Sequence, residues 1–204
     1  YIPIDSNTLP FPYKDMLNYP DVVIAMSQNG SEVLKKELPE VPHYMIPHGV
    51  DTDIFKPMSK EERAIQRENC GKKDAFIIGC VGRNQDRKQH GRLVMAFGKF
   101  AQGKDDVMLQ FHNDPMDPAN MVPGFDGEKY PFLINIIQMC GVEKKVVFSR
   151  GITYMDSLSV EDLCKTYNFF HVHALATSGE GFGLPILEAN ACGIPNVITD
   201  FTSS

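Results

Sequence analysis

Two loop stretches place charge beside glycine immediately after an apolar run. In GRNQDRK (Gly82–Lys88), Arg83 and Lys88 stand five positions apart, behind a glycine that permits a tight turn. Two fixed cations at the end of a strand suit a diphosphate, because they can neutralise charge gathering on a leaving group. In SGEGFGLPILEANACGIP (Ser178–Pro195), Glu180 precedes GFGLP and Glu188 follows it. Pro185 fits the first turn of a helix, where its missing N–H costs nothing, and the N–H groups around Gly183–Ile186 would then face outward as an anion site. On residue types alone both stretches also read as ordinary connections: a solvated basic loop, and a strand–turn–helix with an acidic first turn.

Weaker signals accompany these. SRGITYMDS follows the apolar KVVFS, and Arg150, Gly151 and Ile152 there either offer backbone groups to a nucleobase or form a plain strand–helix loop. His171 and His173 make an H-x-H on one face of a strand. A third zinc ligand of suitable spacing is missing, so packed or site-lining histidines are expected. His112 and Asp114 end another strand and are expected to line the same cleft. His48 sits in a Pro-His-Gly turn. The chain has no G-x-S-x-G, no P-loop lysine and no G-x-G-x-x-G, which counts against serine hydrolases, P-loop NTPases and the usual dinucleotide dehydrogenases.

The elements that must carry these loops follow from periodicity. Fully apolar runs (DVVIAMS, AFIIGCVGR, VMLQFHN, KVVFSRG, FFHVHALA, PNVITD) alternate with amphipathic helical segments. That alternation predicts a doubly wound α/β fold, a parallel sheet covered on both faces, with ligands at the strands' carboxyl ends. Ser27 or Asn29, Ser59 and Ser159 are the expected helix N-caps, and Leu93, Val94, Phe97 and Phe100 the expected core stripe of one helix. The Pro/Gly-rich stretch 113–131 reads as a long surface flap.

Composition narrows the class. A 43% hydrophobic content can build a core, and a net charge of -6 argues against a nucleic-acid partner. No apolar run approaches the ~20 residues of a membrane span, and the start is unlike a signal peptide. The five cysteines are scattered, odd in number and without C-x-x-C, as expected for reduced thiols in a cytoplasmic protein. The absence of an initial methionine fits a fragment or processed product.

Together, IPHGVDTDIFKP, GRNQDRK and EGFGLPILEANACGIP, in this order on this strand pattern, resemble retaining glycosyltransferases of the GT-B fold, family 4. The resemblance runs from about Asp21 to Thr199. It implies a Rossmann-like donor domain at 75–204, a linker at 56–74 and, at 1–55, the tail of the acceptor domain. It implies that Arg83 and Lys88 hold and stabilise the donor diphosphate, with Gly82 and Asn84 beside them. Glu180 would contact the donor sugar, Gly181, Phe182, Gly183 and Leu184 line sugar and phosphate, Glu188 bind the ribose, and Ile152 read the base through its backbone. The expected substrates are a nucleotide sugar and a glycan, lipid or small-molecule acceptor. No cofactor and no metal are expected, and membrane association would come through the missing N-terminal domain. Transfer would proceed by front-face attack with retention. The family's N-terminal glycine-rich loop and its histidine near the sugar are absent, and the family continues past TDFTSS. A chain complete as given is therefore expected to bind donor weakly or not at all and not to turn over. A non-catalytic GT-B module, an epimerase and a phosphorylase are the competing readings.

Overall fold

The computed structural model describes residues 2–9, 11–123, 129–149, 152–153, 156 and 158–203. The chain divides into two compact units. One comprises residues 1–50, 178–184 and 199–204; the other comprises 51–177 and 185–198.

In the first unit, helix α1 (Phe11–Met16) precedes strand β1 (Val23–Ala25), helix α2 (Gln28–Glu37) and strand β2 (His43–Met45). β1 and β2 pair in parallel, and Ile2 bridges to Ala25 on the other side of β1. Ser27 caps α2 by accepting from the Gly30 N–H, so it is the N-cap and Asn29 is not. The core of this unit gathers Ile4, Val23, Ala25, Val33 and Leu34.

The second unit opens with helix α3 (Lys60–Asn69), which Ser59 and Glu62 start with a reciprocal capping box. Its strands and helices then alternate: β3 (Phe76–Val81), α4 (His90–Phe100), β4 (Val107–His112), a short hairpin of β5 (Met121–Pro123) and β6 (Lys129–Pro131), α5 (Phe132–Met139), β7 (Val146–Phe148), α6 (Val160–Phe169), β8 (Val172–Leu175), α7 (Leu184–Ala191) and β9 (Asn196–Ile198). Five strands form one parallel sheet in the order β7-β4-β3-β8-β9. The expected Rossmann-like parallel sheet is thus observed. Chain order runs outward from β3 to β7, then returns to β8 on the other side of β3. α4 packs on α5 and α3 on α6. Right-handed crossovers assign these pairs to opposite faces, and the reversal makes the carboxyl ends of β3 and β8 the switch point where such sheets bind ligands.

The main core packs Cys80, Val94, Phe97, Leu109, Phe111, Leu133 and Ile137. Each large apolar side chain buried there contributes roughly 1.5–3 kcal/mol. Val94 and Phe97 are buried as the stripe required, whereas Phe100, at the end of α4, is exposed. The stretch 56–74, expected as a linker, is docked in this unit. Arg63 donates to the Cys192 carbonyl, Gln66 to that of Lys165 and Arg67 to that of Phe169, while Asn168 accepts from the Met58 N–H and donates to the Lys56 carbonyl. Its polar composition reflects donors aimed at helix-end carbonyls. The flap expected at 113–131 contains a 3-10 turn (Pro118–Asn120) and the β5–β6 hairpin.

Candidate functional site

Gly82 follows β3 with φ at +150°, a region L side chains rarely adopt, and a methyl group placed on it would lie 3.7 Å from Lys88 Cε and 3.9 Å from Nζ. The 3-10 turn Asp86–Lys88 thus folds the lysine back beneath the strand end, where it is only 6% exposed. Its charge is felt by His90 and His173. Burial first, and this ammonium in addition, hold His90 at a pKa of about 4; burial and the ammonium do the same for His173, against the opposing pull of the Asn196 hydrogen bond. Both rings are therefore neutral near pH 7.

Arg83 points elsewhere. Its side chain is half exposed, and its guanidinium makes a two-pronged contact with Asp117: Nε donates to Oδ2 at 2.7 Å and Nη2 to Oδ1 at 3.2 Å. These hydrogen bonds hold the Asp117 carboxyl below the usual range. Asn84 is fully buried. Its Oδ1 accepts from Asn120 Nδ2 at 2.8 Å and lies 3.3 Å from His90 Nδ1, and its Nδ2 donates to the Pro115 carbonyl. The Asn84 amide therefore ties the loop after β3 to the loop after β4.

A cleft of about 370 Å3 opens at the carboxyl ends of β3 and β4. Gly82, Arg83 and Ile152 line it, together with His112 and Asp114, as the sequence suggested. Val81, Leu158 and Leu163 add an apolar surface, and Asp117 and Asp156 add carboxylates. Asn113, also in its wall, is buried with an Oδ1 that has no partner among the described residues. Arg150 and Gly151 lie outside the described residues. Lys88 and Glu188 do not line this cleft.

Glu188 lies on α7, where burial pushes its carboxyl above the usual range. The Tyr167 hydroxyl donates to its Oε2 at 2.6 Å, and Tyr167 is itself fully buried among Phe55, Phe170 and His173. Burial and this carboxylate hold the phenol well above its ordinary pKa, so it stays a donor. The sequence reading missed Tyr167 and Asp117. Tyr167 sits one helix away from Glu188 in sequence, and Asp117 lies inside a stretch that read as a flap.

The first unit holds the rest of the predicted set. Glu180 is buried; its N–H donates to the Thr202 hydroxyl at 2.9 Å, which donates back to the Glu180 carbonyl at 3.2 Å. The Phe182 ring meets His48 edge-on at 5.3 Å. A Cβ on Gly181 would fall 2.9 Å from Pro3 Cβ, and one on Gly179 would fall 2.1 Å from the Asp5 carbonyl oxygen. These glycines are required by the N-terminal segment, a reason distinct from the expected approach to sugar and phosphate. Leu184 is the first residue of α7.

The H-x-H pair is spent on the sheet. His171 Nδ1 accepts from the Ile77 N–H at 3.0 Å and His173 Nδ1 lies 2.6 Å from Asn196 Oδ1. Among the described residues no group of three metal-ligating side chains forms.

Comparison with known proteins adds to this geometry. Residues 61–204 match the family model described as Glycosyl transferases group 1. A GDP-mannose-dependent alpha-(1-6)-phosphatidylinositol monomannoside mannosyltransferase of Mycolicibacterium smegmatis is 32% identical over 74% of this chain and 37% of its own length. Mannosylfructose-phosphate synthase of Agrobacterium fabrum is 26% identical over 96% of this chain and 42% of its own. Anabaena HepE, solved with UDP and glucose, superposes with a TM-score of 0.71 at 21% identity, over 92% of this chain and 46% of that one. The chain thus spans less than half the length of these relatives.

Proposed function

Since the chain belongs to the glycosyl transferases group 1 family, with the GT-B type of fold, we propose that it supplies the donor-binding half of a nucleotide-sugar-dependent glycosyltransferase. The observation that carries this reading is the pair of cations after β3: Arg83 in the wall of the cleft and Lys88 folded beneath Gly82. Both stand at the switch point, where the family's donor diphosphate would need charge. Glu188 binds the ribose hydroxyls, Glu180 the sugar, Gly181–Leu184 the sugar and phosphate, and Ile152 the base through its backbone. Transfer retains configuration: the acceptor oxygen bonds to the anomeric carbon on the face from which the nucleoside diphosphate departs, and the acceptor's proton passes to the departing phosphate oxygen. Arg83 and Lys88 take the place of a metal. The acceptor is a glycan, lipid or small hydroxylated molecule, and the free cysteines suit a reducing cytoplasm.

The cleft also favours a base. Asp114, Asp156 and the unpartnered Asn113 Oδ1 are acceptors beside the apolar Leu158 and Leu163. Guanine offers adjacent N–H donors at N1 and N2, whereas uracil places its single donor between two acceptor oxygens. GDP is therefore the expected nucleotide, in line with the donor named for the mycobacterial relative.

Titration calorimetry of GDP, UDP and ADP against the protein tests the reading. GDP should bind most tightly, and failure of all three to bind to the longer enzyme would refute a donor site. A screen of nucleotide sugars with the longer enzyme separates transfer from a non-catalytic module, which would bind donor without turnover.

A further inference from the structure

We infer that Asp117 is a positioning residue for donor binding: its buried carboxylate sets the orientation of the Arg83 guanidinium and so makes the 113–120 loop part of the diphosphate site. The inference rests on the donor reading above.

The burial of the two partners is opposite. Arg83 is 52% exposed on its side chain, whereas that of Asp117 is 1% exposed. A pair between two exposed side chains would be loose and weak. Here one member is fixed and the other is held by it. Asp117 uses Oδ1 a second time, accepting from the Ala119 N–H at 2.9 Å and so starting the 3-10 turn Pro118–Asn120. That turn is anchored from its far end by Asn120 Nδ2 on Asn84 Oδ1, and from the near side by Asn84 Nδ2 on the Pro115 carbonyl. Asn84 is the residue after Arg83. The arginine is thus gripped twice, through its backbone neighbour and through its own guanidinium, by one short segment of another loop.

The contact takes the Nε–H and one Nη2–H, two of the five guanidinium donors. A flexible arginine would lose rotamer freedom on meeting a diphosphate, whereas one already fixed loses less. Charge alone argues the opposite way, since a carboxylate at 2.7 Å lowers the net positive charge that a diphosphate meets. The two effects predict opposite signs for Asp117→Asn, so the experiment decides between them.

The quantity to measure is the ratio of GDP to guanosine affinity, by calorimetry for GDP and saturation-transfer NMR for guanosine. This ratio isolates the diphosphate contribution and is insensitive to a general loss of folded protein. Asp117→Asn should lower the ratio about tenfold, the effect of losing a hydrogen bond to a charged group, and Asp117→Glu should restore part of it. A ratio unchanged or raised in Asp117→Asn overturns the inference while leaving the donor reading intact. Absence of GDP and UDP binding by the unaltered longer enzyme would instead remove the donor reading, and this inference with it. If Asp117→Asn fails to fold, the Arg83 Nε–H resonance of the unaltered protein serves. It should be protected from solvent exchange without GDP and remain so with GDP bound. Loss of protection on GDP binding would mean that Asp117 lets go, which overturns a positioning role.

Discussion

β3 and β8 are neighbours in the sheet, yet the segments that leave their carboxyl ends are held in different ways. The loop after β3 is fixed by a polar network reaching into another loop, with Asn84, His90, Asn113, Asp117 and Asn120 all engaged. The helix after β8 buries Ala189 and is tied to the start of β9 by Asn196 Nδ2, which donates to the Ile186 carbonyl and to Asn190 Oδ1, and Glu188, the carboxylate proposed for the ribose, receives one donor from a buried tyrosine. The difference arises from the chemistry each must present. Two cations a few residues apart repel one another and carry long flexible stems, so each needs its own constraint: burial for Lys88, a carboxylate for Arg83. A glutamate one turn into a helix already has its backbone placed, and one hydrogen bond to its carboxylate helps to orient the rest.

Breaking the first side should have the largest effect. In the intact enzyme, Lys88→Ala removes the cation folded beneath Gly82 and is expected to lower kcat by about 10²–10³-fold, as losing a preorganised charge at a leaving group does. Steady-state kinetics with the nucleotide sugar checks this, and an unchanged kcat would exclude Lys88 from the leaving-group role. Both sides should also weaken in acid, because His90 opens the helix after β3 and His173 lies within β8. His90 and His173 have folded pKa values of about 4, below the ordinary 6.5. The unfolded chain therefore takes up protons first as pH falls. Their contribution to stability is full above about pH 6.5 and is lost as pH falls toward 4, on the order of 3 kcal/mol for each ring. Urea unfolding across that range measures it. Replacing either histidine by a neutral residue of similar size should flatten the slope, at whatever cost in absolute stability.

The second side should respond more gently. Tyr167→Phe removes the hydroxyl on Glu188 Oε2 and leaves the ring packing among Phe55 and Phe170. The expected loss is about 1.5 kcal/mol, roughly tenfold. It should appear in the preference for GDP over its 2′,3′-dideoxy analogue, because Glu188 is assigned to the ribose. Equal weakening of both nucleotides would move the tyrosine's action from the ribose to the fold.

Much of the architecture was legible because local rules agree with the global fold. Apolar runs such as FIIGCV became central strands, and Ser27, Ser59 and Ser159 became caps by accepting from backbone N–H groups three residues on. Arg83, Lys88 and Glu188 stood out because glycine, proline and charge cluster after strands. What stayed hidden depends on pairing across sequence. Nothing near Asp117 announces that its partner lies thirty-four positions earlier, and Asn84 looks like one more polar loop residue until its amide is seen buried. The stretch 56–74 read as a linker because the acceptors of its polar residues, carbonyls in the second half of α6 and just after α7, lie about 100 to 130 positions away.

The packing of Gly179 and Gly181 on Asp5 and Pro3 bears on how this protein is made. The first unit is interrupted in sequence: its strands precede the central sheet, residues 178–184 follow β8, and residues 199–204 follow β9. Pro3 and Asp5 therefore meet Gly181 and Gly179 only after β3, β4, β7 and β8 have been made in between, whereas the core around Ile4 is drawn from residues near it in sequence. Joining distant parts of a chain is slow, because the closure entropy comes before any contact rewards it. The loop that carries Glu180 is accordingly among the last parts to acquire its shape, and a bulky residue at position 179 or 181 should reveal itself first as a delay in maturation.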